Sequence, residues 1–180
     1  MRLESKHTLL CKPLADKNKR FLLGKEGHST LLAIALNPST ANENKLDPTS
    51  RNIEKIALKS GCDGWWLINL YPLRTTNPKK LPSNPDPKIA KQNLLFIRSV
   101  LKNPDYRIQK VLCCWGNHVR DHSYLKEELE KILSLIKKYS IPCYSLGITK
   151  SGHPYHPSPM VVNRFLGGMN QIILKKFPLK

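Results

Sequence analysis

Four short segments of the chain combine amide, imidazole and hydroxyl side chains, and each follows an apolar stretch. They are Asn37-Pro38-Ser39-Thr40, Asn69-Leu70-Tyr71, Gly116-Asn117-His118 and the Gly/Pro-rich segment 147–159, which contains His153 and His156. An asparagine side chain offers a hydrogen-bond donor and an acceptor, and an imidazole can donate to an anion that develops during a reaction. Side chains of these types are suited to reading the edge of a nucleobase.

Motifs of several common enzyme classes are missing from the sequence. It contains no Gly-rich phosphate loop, no H-E-x-x-H, no G-x-S-x-G and no evident pair of carboxylates. The five cysteines form no C-x-x-C pair, so we expect buried apolar cysteines and no metal site. These absences exclude kinase, zinc hydrolase and serine hydrolase chemistry, and we expect no cofactor.

The elements that must position the four segments alternate between strand and helix. Apolar or β-branched stretches predict buried strands at 30–36, 64–73, 110–116 and 141–147. Helical spacing of apolar residues predicts helices at 50–61, 87–103, 123–140 and 160–174. A turn between two short N-terminal edge strands is expected at 12–20, and a long Pro-rich loop at 74–87.

Alternation of strands and helices is typical of a parallel sheet with helices on both faces. We therefore expect one α/β domain over residues 1–180, with three α/β/α layers and a central, mainly parallel sheet of four strands. The carboxyl ends of parallel strands lie at one edge of the sheet, where binding sites of such folds form. The four polar segments are expected to meet there in one site.

The chain is strongly basic, with 30 Lys and Arg residues against 13 Asp and Glu and a formal net charge of +17. A charge of this sign attracts nucleic acids, the abundant polyanions of the cytoplasm. A generally basic proteome is the alternative explanation. No stretch is long and apolar enough to predict a membrane span, and the N-terminus does not look like a signal peptide. We therefore expect a cytoplasmic protein without a membrane partner.

The motifs "LNPST", "LINLYPL", "CCWGNHV" and "HPSPM" resemble, in order and approximate spacing, those of the uracil-DNA glycosylase superfamily. Most of the chain also resembles a bacterial family of unknown function that shares "LNPSTA", "DPT", "NL" and a repeated His-Pro. The superfamily resemblance implies a glycosylase-like fold and a monofunctional, monomeric DNA glycosylase. Such an enzyme hydrolyses the N-glycosidic bond of a flipped nucleotide and leaves an abasic site.

The resemblance also implies roles for individual residues. Asn37 stands where the superfamily has the residue that positions or activates water, and Asn69 stands where an asparagine holds the base edge. His156 would stabilise the departing base anion. Met160 would be the apolar wedge that fills the space left by the flipped nucleotide.

Further residues of the four segments and their flanks are expected to contact the substrate. Tyr71 and His153 are assigned to the base, although an exposed turn without a role is an equal alternative for His153. Asn37 before Pro38 can also be a simple strand-terminating turn. The residues expected to contact DNA, the basic ones through its phosphates, are Ser158, Arg74, Lys150, Arg120 and Arg164.

Two departures from the superfamily pattern bear on the chemistry. Asn37 cannot act as a general base, and Asp47 is expected either to take that role or to cap the following helix by accepting from Ser50. Ser39 stands where uracil-specific members have an aromatic residue that blocks C5 of the pyrimidine. A small residue leaves room there, so we expect a modified, 5-substituted pyrimidine or a mispaired base as the substrate.

The same chemistry serves DNA repair and defence against modified phage DNA. Two other function classes remain open on the sequence alone. One is a non-catalytic module that binds nucleic acid or nucleotides, and the other is a hydrolase of free nucleosides or nucleotides, for which a charge of +17 is harder to explain.

Overall fold

A computed structural model describes residues 9–179 as an α/β fold built on one mixed sheet of seven strands. The strands are β1 (Leu10–Lys12), β2 (Leu22–Lys25), β3 (Thr30–Ala35), β4 (Gly64–Asn69), β5 (Ile108–Cys113), β6 (Cys143–Ser145) and β7 (Lys175–Lys176). The helices are α1 (Pro48–Lys59), α2 (Pro87–Lys102), α3 (Ser123–Lys138) and α4 (Pro159–Phe165). The predicted domain of residues 1–180 includes residues 1–8 and 180, which lie outside the described range.

The centre of the sheet is parallel and its borders are antiparallel. The strand order is β1-β2-β4-β3-β5-β6-β7, in which β4, β3, β5 and β6 run parallel to one another. β2 pairs antiparallel with β1 and β4, and β7 pairs antiparallel with β6. The predicted sheet of four strands is therefore wrong in size, because the N-terminal hairpin and a C-terminal strand join the same sheet.

Helices cover both faces of the sheet, which explains why its central strands are apolar throughout. Every residue of β3 and β4 is buried, so neither strand alternates between apolar and polar positions. On one face α2 and α3 pack through residues such as Ile97 and Ile132. On the other face α1 and α4 pack through residues such as Ile53 and Val162.

The C-terminal part of the chain departs from the predicted helix at 160–174. α4 ends at Phe165, because Gly167 and Gly168 adopt φ angles of 74° and 92°, a region that favours glycine and ends a helix. A short 3₁₀ turn and β7 follow, and β7 extends the sheet beside β6. Within residues 9–179, no helix has the length and apolar character needed to cross a membrane.

Candidate functional site

A cavity of about 780 Å³ lies at the carboxyl ends of β3, β4, β5 and β6. Its volume falls within the range of roughly 300–1,000 Å³ that small-molecule sites occupy. The segment after each parallel strand contributes to the wall: Asn37 after β3, Asn69 at the end of β4, Gly116 after β5 and His156 beyond β6. The four polar segments therefore meet in one place, as the sequence predicts.

The predicted site residues divide between the cavity wall and its surroundings. The wall contains Asn37, Ser39, Asp47, Asn69, Lys150, His156, Ser158 and Met160. The residues outside the wall are Tyr71, Arg74, Arg120, His153 and Arg164. Most of the amide and imidazole groups expected at the site are thus brought together, whereas most of the expected phosphate-binding groups lie around it.

The Asn37 side chain is held by two backbone carbonyl groups. Its Nδ2 donates to the carbonyl oxygens of Pro38 and Thr75, both at 2.9 Å. Carbonyl oxygens only accept, so these contacts fix the orientation of the amide. Within residues 9–179, Oδ1 makes no hydrogen bond, and it is free to accept one from a water molecule or from a ligand.

His156 is held in one tautomer by the backbone. Its Nδ1 lies 3.1 Å from the carbonyl oxygen of Cys114, so Nδ1 carries the proton of the neutral ring. Nε2 then carries the lone pair, and it lies 3.5 Å from the hydroxyl of Thr49. Thr49, which the sequence did not suggest, can donate to this lone pair.

The charge state of His156 follows from its surroundings. Burial lowers the pKa of its imidazole, against the opposing effects of the Cys114 carbonyl and the Asp47 carboxylate. The neutral ring accepts a proton at Nε2 and cannot donate one there. The role that the resemblance implies for His156, donation to a departing base, requires the protonated ring, which burial disfavours.

Asp47 caps α1 and also faces the cavity. Its Oδ1 accepts from the backbone N–H of Ser50 at 2.8 Å, which is the capping contact predicted as one of two alternatives. Its Oδ2 makes no hydrogen bond with any residue of the described range. The cap therefore fixes the carboxylate in the wall, and one oxygen remains available to a ligand.

The loop that carries His156 is attached to two neighbouring segments. The N–H of Gly116 donates to the carbonyl of Pro154 at 3.1 Å, and Asn52 Nδ2 donates to the carbonyl of Pro157 at 2.9 Å. Gly116 has a φ of 73°, and a Cβ atom there would lie 3.2 Å from the Cβ of His156. The close packing of this glycine sets the position of the imidazole.

Exposed apolar side chains line the mouth of the cavity. Met160 is 61% exposed and Phe165 is 56% exposed, and both belong to α4. The Phe165 ring stacks on Tyr155 with 6.2 Å between the centroids. Ser158 caps α4 by accepting from the N–H of Val161 at 3.4 Å, so it positions the helix that presents Met160.

The structure contradicts the predicted base contact of Tyr71. This side chain is fully buried in the layer between the sheet and α2 and α3, with its ring 5.1 Å from that of Tyr124. Its hydroxyl accepts from the N–H of Asp86 at 2.9 Å. β4 ends at Asn69. The side chains that follow no longer point alternately to the two faces of the sheet, and the Tyr71 side chain lies in the core.

Arg74 stabilises loops and is not free to bind phosphate as predicted. Its Nε donates to the carbonyl of Asp16 at 3.0 Å, and its Nη1 donates to the carbonyls of Ser39 and Ala41 at 3.0 and 2.8 Å. Its Nη2 contacts the Sγ of Cys11 at 3.7 Å. The guanidinium therefore makes its hydrogen bonds within the protein.

The other predicted residues outside the wall lie at its periphery. Arg120 and Arg164 are exposed, and the Arg164 guanidinium lies 5.9 Å from the centre of the Phe165 ring. His153 is half-buried, and burial together with Arg120 and Lys126 lowers its pKa. Contacts of these side chains with DNA or a base remain predictions.

A second cavity of about 500 Å³ adjoins the first. The two share the wall residues Ser39, Thr40, Thr75 and Thr76. The small side chain of Ser39 therefore stands at the boundary between a main cavity and a polar side cavity. The side cavity is also lined by Asp16, Lys17, Asn42, Glu43 and Arg74.

Arg20 is a cavity residue that the sequence gave no reason to select. Its side chain is only 1% exposed, and its Nη2 donates to Oδ1 of Asn69 at 3.3 Å. The N–H of Arg20 donates to the carbonyl of Pro72 at 2.9 Å, because the chain before β2 runs beside the segment after β4. A single arginine in the lysine-rich segment 12–20 carries no pattern that would indicate this position.

Ligands for a metal ion are not clustered in the described part of the chain. Among residues 9–179, no group of three or more His, Cys, Asp and Glu side chains is arranged to hold a metal ion. All five cysteines are buried thiols, and burial raises the pKa of Cys114 to about 12. The groups that the cavity offers to a ligand are therefore amides, two imidazoles, hydroxyls, a carboxylate, an ammonium group and a guanidinium.

Comparison with known proteins identifies a family. The family model described as "Protein of unknown function (DUF1643)" matches residues 20–158, which include β2 to β6 and the cavity residues from Arg20 to Ser158. No curated protein and no solved structure matches the chain. The chain belongs to the DUF1643 family.

Proposed function

We propose that the protein is a monofunctional DNA glycosylase that excises a 5-substituted pyrimidine or a mispaired base and leaves an abasic site. The observation that carries the proposal is the set of polar groups that one cavity offers to a ligand. Within residues 9–179, Asn37 Oδ1 is an acceptor without a partner, His156 Nε2 is an acceptor with the Thr49 hydroxyl at 3.5 Å, and Asn69 Nδ2 is a buried donor without a partner. These groups can form hydrogen bonds with the edge of a base and with an attacking water molecule.

The proposed reaction uses His156 as a general base. Water attacks C1′ of the sugar, the C1′–N bond breaks, and the electron pair of that bond leaves with the base. Nε2 of His156 accepts a proton from the water, and Asn37 Oδ1 orients the water by accepting its other hydrogen. General base catalysis of this kind contributes a factor of about 10²–10⁴ to the rate. His156 is thus an acceptor here, and not the donor that the resemblance implies.

The surface around the cavity supports DNA as the substrate. Met160 and Phe165 are exposed at the mouth, where an apolar side chain can fill the gap that a flipped nucleotide leaves in a duplex. Lys150, Arg120 and Arg164 are exposed nearby and can contact phosphates. The net charge of +17 favours association with a polyanion.

The side cavity supports a substituted base. In the resemblance, Ser39 takes the place of the aromatic residue that blocks C5. Ser39 and Thr40 stand at the boundary between the two cavities, so a substituent on C5 can extend into the side cavity of about 500 Å³.

A screen for released bases tests this function. The protein is incubated with genomic DNAs of different base modification and with duplexes that carry mispairs, and released bases are measured by mass spectrometry. Release of a modified base from phage DNA favours a defence role, and release from mispairs favours repair. The Asn37→Ala and His156→Gln variants are expected to be inactive, and His28→Gln, an exposed histidine outside the cavity wall, is expected to be active.

Two outcomes of the same screen contradict the proposal. Release of bases from free nucleosides or nucleotides but not from DNA indicates a hydrolase of small substrates. Binding of DNA or nucleotides without release of any base indicates a non-catalytic binding module. Full activity of both Asn37→Ala and His156→Gln overturns the assignment of the site.

A further inference from the structure

Arg20 is a buried guanidinium whose hydrogen-bonding capacity is mostly unused. It is 1% exposed and lines the main cavity. Its Nη1 donates to the carbonyl of Ala41 at 2.9 Å, and its Nη2 donates to Oδ1 of Asn69 at 3.3 Å. These bonds use two of the five N–H groups of a guanidinium, and the buried Nε has no partner among residues 9–179.

The positive charge of Arg20 is not neutralised by a bonded carboxylate. No ion pair formed within residues 9–179 includes Arg20. Its charged neighbour Arg74 donates to the same Ala41 carbonyl, at 2.8 Å, so two guanidinium groups converge on one oxygen. Burial, and next the charge of Arg74, lower the pKa of Arg20 to about 10, while Asp47 opposes the shift. A buried charge without a bonded counterion destabilises the fold, and a bound anion would offset this cost.

Arg20 also fixes what Asn69 can offer to a ligand. A guanidinium only donates, so Oδ1 of Asn69 must face Arg20 and Nδ2 must face away from it. Asn69 is 1% exposed and lines the cavity, and its Nδ2 has no partner in the described part of the chain. A hydrogen bond from a charged donor polarises the amide and strengthens the N–H groups of Nδ2. Arg20 and Asn69 thus present donors and no free acceptor group.

We propose that Arg20 and Asn69 form a donor-only subsite that binds a negatively charged oxygen atom of the ligand. Resting on the proposed function, this oxygen is a carbonyl oxygen of the departing pyrimidine. When the C1′–N bond breaks, its electron pair moves onto the base and the negative charge spreads to the carbonyl oxygens. Donors fixed in a buried site stabilise charge where it develops, and removal of one such donor costs about 10²–10³ in rate. The subsite performs the function that the resemblance implies for His156.

Equilibrium binding of small anions tests the subsite without any need for catalysis. Isothermal titration calorimetry compares 5-nitrouracil, which its nitro group makes anionic near neutral pH, with thymine, which is neutral and of similar size. Inorganic phosphate is the third ligand, because a nucleotide phosphate presents the same kind of oxygen. We expect the wild-type protein to bind the 5-nitrouracil anion at least about tenfold more tightly than thymine.

The variants assign this preference to named side chains. Arg20→Met is expected to reduce the affinity for the 5-nitrouracil anion to that for thymine, whereas Arg98→Met, an exposed arginine on α2, is expected to change neither. Thermal melting shows whether Arg20→Met remains folded. If it does not, Asn69→Ala, which leaves the charge in place, is expected to lose about tenfold in affinity for the anion.

Each contrary result overturns a defined part of the proposal. Equal affinity of the wild-type protein for the anion and for thymine, without phosphate binding, overturns the subsite. Binding of phosphate but not of 5-nitrouracil overturns its assignment to the base and indicates a phosphate site. A protein that binds the base anion through Arg20 and releases no base from any DNA contradicts the proposed function and leaves the subsite intact.

Discussion

The Nδ1 atom of His156 lies 3.1 Å from the carbonyl oxygen of Cys114, and this contact decides which ring nitrogen can react. A carbonyl oxygen accepts only, so the proton of the neutral imidazole is held at Nδ1. The lone pair on Nε2 is then directed toward Thr49 and the cavity. A general base is the catalytic role that suits this tautomer.

Replacement of His156 is expected to remove catalysis without unfolding the protein. His156→Gln keeps a polar side chain of similar length but loses the proton-accepting nitrogen, so the rate of base release should fall by about 10²–10⁴. His28→Gln changes an exposed histidine that does not line the cavity, and it should retain the wild-type rate. Single-turnover assays measure both variants; equal losses in the two would show that the imidazole of His156 has no specific role.

The lowered pKa of His156 makes the stability of the fold dependent on pH. Between the ordinary value of 6.5 and the lower pKa of the folded state, the unfolded chain binds a proton at this histidine that the folded chain does not bind. The free energy of unfolding therefore decreases as the pH falls through 6.5 toward that lower pKa. His153, with a pKa lowered in the same direction, adds to this decrease. Thermal melting of His156→Gln should show a smaller decrease than the wild type; an unchanged decrease contradicts a neutral, buried ring.

An aromatic residue at position 39 is expected to narrow the substrate range. Ser39→Phe fills the boundary between the main and side cavities, so cleavage of a base with a bulky C5 substituent should be lost. Cleavage of unsubstituted uracil in the same sequence context should be retained or improved. Competition between the two substrates in one reaction measures the change, with Ser39→Ala as the control that leaves the boundary open. Retained cleavage of the substituted base by Ser39→Phe would mean that the side cavity does not receive the substituent.

Gly116→Ala is expected to affect stability and activity together. The residue has φ 73° and ψ −173°, a conformation that costs about 1–3 kcal/mol for other residues. The added Cβ would also lie 3.2 Å from the Cβ of His156 and displace the imidazole. Gly61→Ala shares the strain of a positive φ, 83°, but has no atom within 4 Å. Both variants should lose stability in chemical denaturation, and Gly116→Ala alone should lose base release.

The exposed side chains of α4 are expected to matter for duplex DNA. Met160→Ala and Phe165→Ala remove apolar groups that make few contacts in the free protein, so melting temperatures should change little. Base release from a duplex should slow more than release from a single strand, because only in a duplex does the flipped nucleotide leave a gap in the base stack that a side chain can fill. Leu58→Ala, a residue 60% exposed on α1, is the control. Equal effects on both strand forms would argue against a wedge.

The parallel centre of the sheet could be predicted because burial on both faces leaves a simple pattern. β3 and β4 are buried at every position, and their mostly apolar residues indicate this burial in the sequence. β7 consists of Lys175 and Lys176, both exposed, and its composition contains no sign of a strand. The apolar spacing of 160–174 suggested one helix, but the two glycines with positive φ outweigh that spacing.

The candidate site was predictable where it follows the strand ends and unpredictable where it depends on other contacts. Asn37, Asn69 and His156 lie in segments whose position the sheet topology sets. Arg20 comes from the chain before β2, which pairs antiparallel with its neighbour, and Thr49 from the first turn of α1. Neither position leaves a periodic signal in the sequence, because each depends on how separate elements pack.

Formation of abasic sites in a defined duplex tests the central claim most directly. A base released in the mass-spectrometry screen is placed once in a labelled duplex, and alkaline cleavage of the strand reports the abasic site. We predict cleavage at that position with the wild-type protein and with His28→Gln, and none above background with His156→Gln. Wild-type protein that binds the duplex and yields no abasic site, or His156→Gln that yields as many as the wild type, would contradict the account.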